Sequence, residues 1–165
     1  MDELDAIQAS LANFTKRLDE VSTNRFNEMR KCSFFDPIPS EWLTPVAQIA
    51  EIKTFAAGDQ ITAEGDEMDT FYMIMFGTAT AYYNHKVVGT IRSGECIGEA
   101  MFFANENLSR SATVIADNEV ITTVIKKDRI NELHGDAKTY LDKALLLALF
   151  KKLQSANRKI EELLH

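Results

Sequence analysis

The chain has 165 residues, 45% hydrophobic and 26% charged, which is near the globular average and enough for one domain with helix to spare. Its 25 Asp and Glu against 18 Lys and Arg leave a net charge of −7, so no general footprint for a nucleic acid backbone is expected and any anion must be held by a local site. No apolar run approaches the roughly 20 residues that span a bilayer, the start MDELDAIQAS lacks the regions of a signal peptide, and Cys32 and Cys96 are too few for a disulfide or zinc framework. A soluble, cytoplasmic protein with reduced thiols and no membrane partner is expected.

The first region is helical. Leu4, Ile7, Leu11, Phe14, Leu18 and Val21 recur at alternating steps of three and four, a heptad seam with charged residues on the other faces. Three heptads are short for a free-standing coiled coil, so packing on the chain's own domain and dimerisation both stay open. Pro37 and Pro39 then break the chain, and Ser40 and Glu41 before Trp42 predict the start of a short helix. From about residue 51 to 126 the pattern becomes short apolar runs rich in Val, Ile, Thr, Phe and Tyr, separated by Gly, Asp and Asn. The connections are too short for crossover helices, which predicts an antiparallel sheet closed as a barrel or jelly roll, with Gly58, Gly65, Gly77, Gly89 and Gly94 at turns and strand ends. After Lys126 the helical period returns, with a short helix from about Asp128 stopped by Gly135 and a long one behind it. Leu146, Leu149, Leu153, Ala156, Ile160 and Leu163 form its heptad seam, flanked by Lys151, Lys152, Arg158, Lys159, Glu161 and Glu162. The predicted organisation is an amphipathic helix and linker over 1–40, a β-roll over 41–135 and a dimerisation or connector helix over 136–165.

One stretch breaks the strand rhythm: Gly94-Glu-Cys-Ile-Gly98-Glu99-Ala-Met-Phe-Phe, followed after six residues by Arg110-Ser111-Ala112-Thr113-Val114. Gly98 permits close backbone approach or an unusual turn, and Glu99 to Phe103 suffices for one helical turn whose free N–H groups suit an anion. The Arg110 guanidinium can clamp phosphate oxygens through two charge-assisted bonds of about 1.5 to 3 kcal/mol each, and Ser111 adds a hydroxyl and an amide. A carboxylate at Glu99 suits the hydroxyl of a sugar attached to that phosphate. The constellation reads as phosphate plus ribose.

These residues resemble the phosphate-binding cassette of the cyclic nucleotide-binding domain family, and FAAGDQITAEGDEMDTFYMIMFG resembles that family's preceding run of Gly-Asp turns and an aromatic strand. The likeness extends over about residues 45 to 160. It implies a mainly β fold, an antiparallel jelly-roll barrel with helices before it and a long helix after it, and a cyclic nucleotide as ligand. On that likeness Gly98 and Glu99 hold the ribose, Arg110 the cyclic phosphate, and Ser111 and Ala112 add a hydroxyl and amide bonds. The Arg-Ser-Ala string resembles that of the cAMP receptor protein branch and favours cAMP over cGMP, with the base met by the long helix near Ser155, Ala156 and Asn157, the last being the best polar candidate. The segment between Glu99 and Arg110 is a residue or two longer than is usual in the family and carries Asn105, Glu106 and Asn107. Bacterial regulators of that branch continue into a DNA-reading helix-turn-helix, and with none after the long helix here a transcription factor is not expected.

His85, His134 and His165 are scattered and predict no metal site. No nucleophile with a neighbouring base appears, so no catalytic residues and no cofactor are expected. The leading expectation is a regulatory sensor that binds cAMP, dimerises through its last helix and passes occupancy to an unidentified output protein or domain. The alternative is a structural or interaction module that dimerises through its helices and leaves the barrel empty, with Glu99 and Arg110 merely paired as ions.

Overall fold

The fold is described from a computed structural model over residues 2–104 and 106–165, so Asn105 lies outside the described residues. The chain runs from α1 (Glu3–Arg30) through a 3-10 turn (Ser33–Phe35) to α2 (Ser40–Ile49), where the Pro39 carbonyl accepts the first helical N–H groups, from Trp42 and Leu43. Strands follow as β1 (Ala50–Phe55), β2 (Gln60–Thr62), β3 (Thr70–Phe76), β4 (Ala79–Tyr83), β5 (Lys86–Ile91) and β6 (Cys96–Ile97). A second 3-10 turn (Glu99–Phe102), β7 (Thr113–Ala116), β8 (Val120–Lys126), α3 (Lys127–Ile130) and α4 (Gly135–Leu163) complete it.

All strand pairs are antiparallel, as the short connections require. They form two four-stranded sheets, β1-β8-β3-β6 and β2-β7-β4-β5, which face each other without a ladder joining them among the described residues. The architecture is therefore an antiparallel β-sandwich with flanking helices, not a closed barrel. Burial alternates along β7, whereas β8, central in the first sheet, is buried at five of its seven positions, and two clusters result. Phe55, Ile61, Ile74, Val114 and Val120 fill the space between the sheets. Phe35, Leu43, Phe71, Ile125, Leu141 and Leu145 join the first sheet to the helices.

Several local expectations are corrected. Gly89 lies inside β5 opposite Ala81, not at a strand end. The short helix ends at Ile130, and Gly135, with φ +56°, opens the long helix instead of stopping the short one. The α1 seam does not pack on its own domain: Leu4, Ile7, Leu11, Phe14, Leu18 and Val21 are all more than half exposed, and only Met29, near the end of the helix, is buried. On α4 the inward face is Ala137, Leu141, Ala144 and Leu145, whereas Leu146, Leu153, Ile160 and Leu163 of the heptad seam are exposed. No described helix is long and apolar enough to cross a membrane.

Candidate functional site

The site forms where edge strand β6 of one sheet faces the concave side of the other. Past Ile97 the chain turns at Gly98, whose φ of +85° lies in the left-handed region open to glycine. The four-residue 3-10 turn that follows exposes Ala100, buries Met101, and leaves Glu99 at the cavity wall. Across the cavity, the Asp66 carbonyl accepts the Arg110 N–H at 2.7 Å, and the Arg110 carbonyl accepts the Gly65 N–H at 2.9 Å. These bonds fix the lead-in to β7.

The Arg110 side chain, only 6% exposed, reaches from β7's sheet to the other. Its Nη2 donates to the Thr70 carbonyl at 2.6 Å, and its guanidinium lies over the Tyr72 ring at 5.6 Å. Its Nη1 is buried with no protein acceptor. Burial lowers the pKa of this guanidinium from its usual value, opposed by Tyr72, Asp69 and Asp66, and burial likewise raises that of Tyr72, against the pull of Arg110. A buried cation with a donor left over is costly unless an anion arrives to meet it. Gly98 stands against this cation: a Cβ there would lie 2.6 Å from Arg110 Nη1 and 2.7 Å from the Thr70 carbonyl oxygen.

Gly98, Glu99, Arg110, Ser111 and Ala112 line one cavity of about 310 Å³, a size suited to a small ligand, whose other walls include the apolar Ala81, Val88, Ile91 and Val114. Glu99 and Arg110 are not paired with one another. Glu99 Oε1 accepts from Lys152 Nζ at 2.5 Å, so the structural ion pair of the scaffold reading is absent among the described residues. Glu106, the acidic residue of the lengthened segment, is exposed and so adds no buried charge against an anion. Asn157 is not brought to the cavity. It is exposed on α4, five residues beyond Lys152 and about 7.5 Å further along the helix axis.

Lys152, in sequence only one of the charges flanking the seam, is a site residue in the structure. The signal was present, because Lys152 continues the inward face of Leu141, Leu145 and Ala148, where a charge needs a partner. Cys96, 1% exposed beside it, has its thiol pushed up to about 12, first by burial and also by the Glu99 and Glu95 charges, with Lys152 opposing. Among the described residues no cluster of His, Cys, Asp or Glu could hold a metal ion.

The chain is 28% identical over 134 residues to a cGMP-dependent protein kinase of Plasmodium berghei, aligning with 79% of this chain and 15% of that protein. It is 28% identical over 109 residues to a cAMP-dependent protein kinase regulatory subunit of Eremothecium gossypii, aligning with 66% of this chain and 23% of that one. The chain thus spans less than a quarter of either relative. In fold it is similar to a cyclic nucleotide-binding domain from Methylobacillus flagellatus, with TM-score 0.70 and 18% identity over 89% of this chain and 84% of that one. It is also similar to the regulatory subunit of a cAMP-independent protein kinase A from Trypanosoma brucei, with TM-score 0.68 and 18% identity over 88% and 50% of the two chains. The family profile of the cyclic nucleotide-binding domain, a regulatory and not a catalytic unit, matches residues 52–136, and the chain belongs to that family.

Proposed function

We propose that this chain is a non-catalytic cyclic nucleotide sensor with one site per chain, binding cAMP in preference to cGMP. The observation that carries the reading is the buried Arg110 guanidinium, with Nη1 unpartnered against Gly98 at the wall of a small cavity. A cyclic phosphodiester supplies the missing acceptor. Glu99 takes a ribose hydroxyl, Ser111 and Ala112 contribute a hydroxyl and amides, and the apolar walls take the base. Asn157 meets the base only if the distal part of α4 closes toward the cavity. In support of a jelly roll, the strands pair in a nested order, β1 with β8, β2 with β7, β3 with β6 and β4 with β5.

The rest of the proposal concerns output. Residues 1–40, 41–135 and 136–165 act as arm, sensor and connector of a cytoplasmic homodimer that engages neither nucleic acid nor membrane. The exposed α4 seam supports dimerisation, and an output protein or domain receives the signal through that helix. A preference for cGMP is the second reading. It is favoured by the Ser111 hydroxyl at the cavity and by the cGMP-dependent kinase among the relatives. Calorimetric titration with both nucleotides, separately and in competition, decides between them. Arg110→Ala should cost about 2 kcal/mol of affinity or more for either. No heat with either nucleotide at millimolar concentration would refute the sensor and favour the scaffold.

A further inference from the structure

Lys152 is where α4 touches the site, all other lining residues coming from the sandwich and the second 3-10 turn. Its ammonium donates to the Cys96 carbonyl at 2.7 Å and to Glu99 Oε1 at 2.5 Å. The Glu99 side chain is 14% exposed and meets the Cys96 thiol as well as the Lys152 ammonium. An uncompensated carboxylate at this depth would repel a phosphodiester. The ammonium cancels that charge, and Arg110 then leaves the cavity with one net positive charge, matched to a monoanion. The same contact fixes Oε1 of the carboxylate against α4 and so sets the direction in which the carboxylate faces the cavity.

We propose that Lys152 is a positioning residue of the nucleotide site: held between the Cys96 carbonyl and Glu99, it neutralises and orients the Glu99 carboxylate for a ribose hydroxyl, and so makes α4 a wall of the site. The inference rests on the cyclic nucleotide reading above. It implies that affinity for the sugar and the seating of α4 depend on one ion pair, so each biases the other.

The test compares wild type, Lys152→Met, Lys152→Arg, Glu99→Gln and the Lys152→Met/Glu99→Gln double variant, titrated with cAMP, cGMP and their 2′-deoxy analogues. Lys152→Met should weaken ribonucleotide binding about tenfold, as expected for loss of a charged hydrogen bond. It should also erode the preference for the ribonucleotide over its 2′-deoxy analogue, while Lys152→Arg restores most of both. In the Glu99→Gln background the same substitution should have little further effect, because its target is gone. A merely structural role would weaken all nucleotides alike and persist in the double variant, which would overturn the inference. So would wild-type affinity and selectivity in Lys152→Met, with the sensor reading left standing. A wild type that binds no cyclic nucleotide overturns both.

Discussion

Gly98→Ala separates conformational strain from crowding at the site. An L-residue in the left-handed region costs about 1 to 2 kcal/mol. The new methyl would also meet the Thr70 carbonyl oxygen at 2.7 Å and Arg110 Nη1 at 2.6 Å. The carbonyl belongs to strand β3 and cannot yield without disturbing the ladder to β8, so an overpacking cost of about 1 to 3 kcal/mol is added. The control is Gly65→Ala, at φ +86° with no heavy atom within 4 Å of the added Cβ, which should show the strain alone. In urea denaturation Gly65→Ala should lose about 1 to 2 kcal/mol and Gly98→Ala about 2 to 5 kcal/mol. Because the Thr70 carbonyl also accepts from Arg110 Nη2, Gly98→Ala alone should weaken nucleotide binding as well. Equal destabilisation of the two variants, or native affinity in Gly98→Ala, would refute the packing of Gly98 against the guanidinium.

Two further outcomes are expected. Leu153 is 59% exposed in the single chain, so Leu153→Glu should leave the fold intact while placing a charge in a seam that contributes several kcal/mol at about 25 cal/mol per Å². Sedimentation should give a dimeric wild type and a monomeric variant, and a monomeric wild type would refute the proposed dimer. The Cys96 thiol is held protonated up to about 12 against an ordinary value of 9.0, so the folded state binds its proton more tightly than the unfolded one. Its contribution to stability is complete below about pH 9 and is lost as pH rises toward 12. Native Cys96 should therefore react with iodoacetamide at pH 9 far more slowly than in urea, and equal rates would show that the thiol is neither buried nor raised.

The parts of the fold that were legible are those whose signal is local. Heptad runs and short apolar runs punctuated by Gly, Asp and Asn are written into successive residues, so the change from helix to strand near residue 50 and back near residue 126 is read directly. Gly98, Glu99 and Arg110 stand out because they interrupt the strand rhythm with a turn-permitting glycine and with charges that suit a ribose hydroxyl and a phosphate. Gly135 misled because a left-handed glycine marks a change of chain direction without saying on which side the longer helix lies. The α1 seam leaves two readings open for a different reason. A heptad stripe states that a surface wants covering, and whether the same domain covers it depends on where the helix leaves the sandwich. Lys152 is the clearest case. Its partner is 53 residues away in sequence, and the heptad reading drew the eye to Leu146, Leu149 and Leu153 on the neighbouring face. A period identifies which residues share a face of a helix; which face meets Glu99 is decided by the angle at which α4, through Leu141 and Leu145, docks against α2 and the first 3-10 turn, and that angle is a property of the packed core.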